Sequence, residues 1–210
     1  FLVKYSRFLQ NAVQGDLGTS YFFKRPALEV ILDKLVATLE LVFAAALIIV
    51  VVSIPLGVYS AIRPRSFLTK LIMAVSSIGI SIPVFLTAIM LMYLFSIQLG
   101  WLPAYGRGET YNLLGWESGF FTWDGIKHLI LPAVSLSSIM LPLFIRLVRS
   151  EMLEQLSSEY VKFARAKGLD NNKVYYQHAL KNTMLPVITV GGVQIGTMVA
   201  YTILTESVFQ

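Results

Sequence analysis

Long uncharged apolar segments restrict the fold of this chain more than any other feature. Residues 41–62 contain no charge, and a helix of these 22 residues, rising about 1.5 Å per residue, covers the roughly 30 Å hydrocarbon core of a bilayer. Residues 71–97 and 182–205 are also uncharged, and residues 129–148 carry only Arg146, near their end. The sequence therefore predicts an all-α, polytopic helical membrane protein.

A single transmembrane domain over residues 1–210 is expected, with four spans. Pro83 and Gly79 predict a kink in the second span, because proline removes a backbone donor from a helix. The chain opens on Phe1 and ends just after an apolar run, which suggests a fragment of a longer protein. The predicted spans are about 36–62, 71–97, 129–148 and 184–206, with a loop at about 149–183.

Basic residues between the spans predict the orientation. Residues 63–70 carry three positive charges and no acid, and residues 146–181 carry seven basic residues against four acidic ones. Both segments are expected on the cytoplasmic side by the positive-inside rule. Residues 98–128 hold two basic and three acidic residues and all three tryptophans, which is typical of an outer loop at the membrane interface. Residues 1–34, with five basic and three acidic residues, fit this scheme least well.

The composition excludes several kinds of chemistry from this chain. It has no Cys, so no disulfide or thiolate site is expected in these residues. His128 and His178 have no Cys, His or Asp neighbours at ligand spacing, which argues against a metal site. The sequence contains no GxxxxGK[ST] motif and no paired acids or Ser-Lys pair within the spans, so neither a nucleotide site nor an embedded enzyme is predicted.

The loop before the fourth span has an ordered pattern. Ser158 is placed to cap a short helix that has Glu159 in its first turn and basic residues at its end, and Gly168 stands where a left-handed residue ends such a helix. Asp170 or Asn171 is placed to cap a second helix that runs through Lys181. The pattern predicts a helix, a glycine turn and a helix.

Two functions of this loop remain open from the residues alone. A basic cytoplasmic loop sets the topology and contacts anionic headgroups. Alternatively Tyr160, Phe163 and Ala164, three or four positions apart, form a small apolar patch that inserts into a groove of another protein. A non-ATP-coupled channel or membrane scaffold is the alternative class of function.

The order of motifs along the chain resembles one family. The strings "YVKFARAKGL" (160–169) and "HALKNTMLPVIT" (178–189) resemble the EAA loop of bacterial ABC importer permeases, in the branch that imports peptides, nickel and glutathione. Other strings resemble that branch in the same order, and together they cover essentially the whole chain. They are "GDLGTSY" (15–21), "GISIPVF" (79–85), "LGWLPAYG" (99–106), "HLILPAVSL" (128–136) and "ESVF" (206–209).

The resemblance implies a type I ABC importer transmembrane domain whose loop is a coupling helix seated in a cleft of a cytoplasmic ATPase. It implies a second homologous permease subunit, two cytoplasmic ATPase subunits that bind ATP and Mg, an extracytoplasmic solute-binding protein and no nucleic acid. This chain itself would carry no cofactor and no catalytic residue. It would lie with membrane lipid in a bacterial or archaeal cytoplasmic membrane, with six spans in the full protein. The expected coupling residues are Tyr160, Lys162, Phe163, Ala164, Arg165, Ala166, Lys167, Gly168 and Leu169.

The sequence departs from the general pattern of the family in two features that bear on the substrate. Lys162 stands six residues before Gly168, where the general EAA pattern has Glu, and the segment from Gly168 to Pro186 is longer than in sugar importers. Both features disfavour a maltose-type permease. A peptide importer is therefore expected, with nickel, glutathione and oligosaccharide as alternatives.

Two acidic residues lie near the predicted outer ends of spans. Glu40 lies near the outer end of the first span, and Glu206 lies near the outer end of the last. A carboxylate within a membrane indicates a pathway or gating role, whereas one at the interface is ordinary. Both interpretations of Glu40 and Glu206 stay open from the sequence.

Overall fold

Long helices make up most of the computed structural model, which describes residues 2–113 and 116–209. Two short strands interrupt the helices in the loop before α5. In chain order the elements are α1 Leu2–Val13, α2 Ala27–Ile62, α3 Phe67–Ser81, α4 Val84–Leu91, a π-helical segment Met92–Gln98, β1 Tyr111–Leu113, β2 Trp116–Ser118, α5 Trp123–Ser157, α6 Glu159–Ala166, a π-helical segment Lys173–Ala179 and α7 Leu180–Phe209.

Three helices in the described part of the chain are long and apolar enough to cross a membrane: Ala27–Ile62, Trp123–Ser157 and Lys173–Phe209. They contain the first, third and fourth predicted spans and extend beyond each of them. α2 has 36 residues, so it is about 54 Å long and exceeds the hydrocarbon core by several turns. The fold is therefore the predicted all-α membrane fold.

The second predicted span is two helices rather than one. Phe67–Ser81 and Val84–Gln98 meet at an angle of 107°, which is a broken span or a re-entrant loop. Ile82 is extended, with φ −94° and ψ 123°, and Pro83 follows it. Proline disfavours the helical conformation in the residue before it, so the chain leaves the helix at Ile82.

Helices α2 and α5 form the main packing interface of the molecule. Ala45 and Ala133 are buried in the core between the long helices, where small side chains let the backbones approach. The two helices approach closely at Gly57, where an added Cβ would stand 2.6 Å from Val148 Cβ. This interface fixes α5, which leads at its C-terminal end to α6.

The loop between α4 and α5 carries a small hairpin. Strands β1 and β2 pair antiparallel, with Asn112 opposite Glu117. β2 also contacts α2, so the hairpin lies against the outer part of that helix. The loop therefore forms one wall of a space next to α2.

Candidate functional site

The glycine turn predicted after the short helix α6 is present with its full hydrogen-bond pattern. Gly168 has φ +76°, the left-handed conformation that glycine adopts without strain. Gly168 N donates to Arg165 O at 2.9 Å, and Leu169 N donates to Ala164 O at 3.3 Å. These are the two bonds of a Schellman motif, which satisfies carbonyls at the helix end. The turn reverses the chain sharply from α6 into the next helix.

The two faces of α6 differ in burial. Val161 is fully buried and Ala164 is nearly so, both in the main core cluster. Phe163 is 61% exposed and Tyr160 is 38% exposed. The prediction that Ala164 shares an exposed patch with these two aromatic residues was wrong, because the helix needs an inward-facing small residue to pack on its neighbours. The exposed apolar patch is Tyr160 and Phe163.

Basic residues surround this patch and are solvent-exposed. Lys167 Nζ lies 4.5 Å from the centroid of the Phe163 ring, and Lys162 Nζ lies 2.8 Å from Glu159 Oε1. Arg165, Ala166 and Leu169 are also exposed. The aromatic ring is therefore presented on a surface of positive charge.

Two details of the predicted loop differ in the structure. Ser158 makes no side-chain bond to the first turn of α6, since its hydroxyl donates to Gln155 O. Asp170 Oδ2 does accept from Asn172 N, at 2.9 Å, as predicted for a cap. The helix that follows does not end before Pro186 but continues into α7. The loop therefore consists largely of extensions of α5 and α7 on either side of α6.

Two arginines in the C-terminal half of α5 contact α3 rather than the loop. Arg146 Nη2 donates to Ser77 Oγ at 2.7 Å, and Arg149 Nη1 lies 3.9 Å from Met73 Sδ. Both partners are on α3. These contacts connect α5, which carries α6, to the first half of the bent helix pair.

A second site lies at the outer ends of α2, α5 and α7. It is a cavity of about 920 Å³, called the outer cavity below. Its wall includes the outer half of α2, the loop between α4 and α5, and the last turn of α7. Its charged lining residues are Arg25, Asp33, Lys34, Glu40, Arg107, Glu117, His128 and Glu206.

Glu40 connects α2 to the outer loop. Its Oε2 lies 3.1 Å from Arg107 Nη2, and its Oε1 accepts from Gly119 N at 3.2 Å. The Glu40 side chain is only 11% exposed, and Arg107 also donates to Glu117 O at 3.0 Å. A nearly buried carboxylate with a charged partner and a backbone donor is a fixed structural connection.

Glu206 connects α7 to α2. Its Oε1 accepts from Thr38 Oγ1 at 2.8 Å, although the two residues are 168 positions apart. Gly106 N donates to Phe209 O at 3.1 Å, so the outer loop also touches the end of α7. The structure thus brings the two sequence-predicted acids, Glu40 and Glu206, to the wall of one cavity.

Sequence reasoning did not identify Thr38 and Arg107. Arg107 and Glu40 are 67 positions apart, and an arginine in a polar outer loop carries no local pattern that points to its partner. Among the residues that the structure describes, no group of three His, Cys, Asp or Glu side chains is placed to hold a metal ion.

Comparison with known proteins identifies relatives of the chain. The family described as "Binding-protein-dependent transport system inner membrane component" matches residues 53–210. A dipeptide transport system permease protein of Alkalihalophilus pseudofirmus is 37% identical over 100% of this chain and 66% of its own length. A di/tripeptide transport system permease protein of Pseudomonas aeruginosa is 39% identical over 98% of this chain and 65% of its own length. An oligopeptide transport system permease protein of Bacillus subtilis is 39% identical over 99% of this chain and 64% of its own length.

Proposed function

Because this chain belongs to the binding-protein-dependent transport system inner membrane component family, we propose that it is the permease subunit of an ATP-driven ABC importer that moves peptides across the cytoplasmic membrane of a bacterium or archaeon. The named relatives are peptide permeases, and the chain spans 66%, 65% and 64% of their respective lengths. Two separate ATPase subunits bind ATP and Mg. A second homologous permease and an extracytoplasmic solute-binding protein complete the assembly.

The observation that carries this proposal is the exposed Phe163 on a helix whose other face is buried. The Phe163 ring is 61% exposed and is flanked by Lys162 and Lys167, so it is available as an apolar anchor within a basic surface. A cleft of a cytoplasmic ATPase would bury the ring and leave the basic residues at its rim. Aromatic anchors with polar surroundings are typical of the residues that dominate binding energy.

The fold offers a route for motion from α6 to the membrane spans. Val161 and Ala164 pack into the same core cluster as Met152 of α5 and Val174, which precedes α7. A push on α6 therefore displaces the ends of both long helices together, because packed cores move as units and do not deform continuously. Closure of the ATPases around nucleotide would drive this motion and alternate the access of the pathway.

The outer cavity would be the extracytoplasmic end of that pathway. Glu40 and Glu206 line it and connect α2 to the outer loop and to α7. Opening of the outer side would move these elements apart. Glu40 then has a gating role, through the contacts that hold the cavity in the observed shape, and Glu206 has a pathway role.

The experiment compares Phe163→Asp with Phe67→Asp in the full-length chain, assembled with its partner permease, ATPases and binding protein in proteoliposomes. Phe67 is a matched control because it is also an exposed phenylalanine on the predicted cytoplasmic side, at 81%, outside the loop. We expect Phe163→Asp to reduce peptide uptake and peptide-stimulated ATP hydrolysis at least tenfold, since an anchor that the ATPase would bury in the assembled complex is replaced by a charge. Phe67→Asp should leave both rates close to wild type.

Equal rates for wild type and Phe163→Asp would reject the coupling role of the loop. Loss of the assembled complex in both variants would indicate a general folding defect, so co-purification of the ATPases is measured for each. Selective loss of the ATPases with Phe163→Asp supports the proposed docking surface.

A further inference from the structure

The charged groups of the outer cavity fall into two sets. Arg25 lies 3.2 Å from Asp33, and Arg107 lies 3.1 Å from Glu40, so these four charges are neutralised within the chain. His128 lies beside Asp124. In the described ranges, 2–113 and 116–209, no ion pair involves the remaining lining charges, which are Lys34, Glu117 and Glu206.

Lys34 and Glu206 both line the cavity. Thr38 Oγ1 lies 2.8 Å from Glu206 Oε1 and 3.3 Å from the backbone carbonyl oxygen of Lys34, so Glu206 contacts α2 one helical turn from Lys34. Lys34 and Thr38 are four positions apart and share one face of α2, about one helical turn along its axis. Thr38 orients one carboxylate oxygen of Glu206, and no ion pair within the described residues engages that carboxylate.

We propose that Lys34 and Glu206 form a transit site for the two charged ends of a short peptide, with Glu206 receiving the α-ammonium group and Lys34 the α-carboxylate. This assignment rests on the proposed import of peptides. The ends of a dipeptide are about 7 Å apart in the extended form. This length is comparable to the one helical turn from Lys34 to Thr38 plus the side-chain contact from Thr38 to Glu206. The cavity volume of about 920 Å³ lies within the range of small-ligand sites.

The chemistry of the two groups suits a substrate that must pass through. A zwitterion that leaves water loses the solvation of two opposite charges. The carboxylate of Glu206 and the ammonium group of Lys34 replace part of that solvation. The flexible four-carbon stem of Lys34 adapts to peptides of two or three residues. A single ionic contact at each end also permits release.

The test measures turnover in proteoliposomes that hold the assembled full-length transporter. The substrates are a dipeptide with free ends, its N-acetyl form and its C-amide form, each at a concentration that saturates the binding protein. This removes differences in delivery from the comparison. The variants are Glu206→Gln and Lys34→Gln. The controls are Glu117→Gln, which removes another carboxylate that lines the cavity, and Lys34→Arg, which keeps the charge.

We expect Glu206→Gln to slow the free dipeptide about tenfold and leave the N-acetyl form unchanged, because a charge-assisted hydrogen bond is lost only with the ammonium group. Lys34→Gln should likewise slow the free dipeptide about tenfold and leave the C-amide form unchanged, because the amide has no carboxylate for Lys34 to contact. Lys34→Arg should restore most of the turnover, and Glu117→Gln should leave the ratios of the three rates at their wild-type values.

Three results would overturn the assignment. Equal slowing of capped and free peptides by Glu206→Gln indicates a role in packing or gating instead. Unchanged turnover in both variants indicates that neither group meets the peptide. Wild-type transporter that hydrolyses ATP but moves none of the three peptides rejects the proposed substrate class, and the transit site with it.

Discussion

The contact between Gly57 and Val148 provides the sharpest stability prediction. A Cβ added at Gly57 would stand 2.6 Å from Val148 Cβ, 2.7 Å from its Cγ1 and 3.0 Å from Ile145 O. The Val148 Cβ and the Ile145 carbonyl are fixed to the α5 backbone, so no rotamer change relieves the clash. Gly57→Ala therefore forces α2 and α5 apart.

The expected magnitude follows from two opposing terms. Overpacking a core typically costs about 1–3 kcal/mol, and the rigid neighbours place this site in the upper part of that range. Replacing glycine by alanine within a helix contributes about 1 kcal/mol of stability in return. We expect Gly57→Ala to lower the free energy of unfolding by about 1–2 kcal/mol.

The assay is SDS or thermal unfolding of the purified full-length protein in detergent, followed by tryptophan fluorescence. Gly191→Ala is the matched control, because Gly191 is also in a long helix and its added Cβ would meet Phe144 at an ordinary 3.8 Å. That variant should be as stable as wild type or up to about 1 kcal/mol more stable.

A double-mutant cycle with Val148→Gly tests the physical cause. Removing the Val148 side chain should make Gly57→Ala less costly by at least about 1 kcal/mol, since contacting residues show such coupling. Wild-type stability of Gly57→Ala, or a coupling energy near zero, would refute the argument that these two backbones are in forced contact.

Two further predictions concern the glycine turn and the outer ion pair. Gly168→Ala places a side chain in the left-handed region at φ +76°, and a nonglycine residue there costs about 1–2 kcal/mol. It should lower the unfolding free energy and reduce uptake, whereas Gly192→Ala, with nothing within 4 Å of its added Cβ, is the control. Glu40→Ala leaves Arg107 and the Gly119 N–H without this acceptor and should cost about 1–3 kcal/mol. Glu40→Gln keeps an acceptor oxygen and should lower the unfolding free energy less than Glu40→Ala. Equal losses of stability for the two variants in thermal unfolding would contradict the assigned bonds.

Local patterns in the sequence predicted the features that depend on neighbouring residues. The uncharged runs predicted helices through residues 41–62 and 182–205, because a backbone in hydrocarbon must satisfy its own hydrogen bonds. Gly168 was predicted as a left-handed helix end from the charge pattern of the few residues before it. Both features are present in the structure.

Proline positions show where local patterns stop being sufficient. Pro55, Pro132, Pro142 and Pro186 lie inside continuous helices, whereas Pro83 lies at a 107° bend. Each proline removes one donor and disfavours the helix in the residue before it. Whether the helix continues depends on the packing of neighbouring helices on both sides, and only the three-dimensional structure contains that packing.

Patterns of neighbouring residues were sufficient to predict that this chain crosses a membrane as helices and that it carries an ordered basic loop of the permease type. Tertiary structure decided which side chains of that loop are exposed, since Phe163 faces outward while Ala164 packs inward. It also decided that Glu40 meets Arg107 and that Glu206 meets Thr38. Patterns of nearby residues predict where helices form. Contacts between helices that are distant in the sequence depend on the shapes of their packed surfaces, which no local pattern specifies.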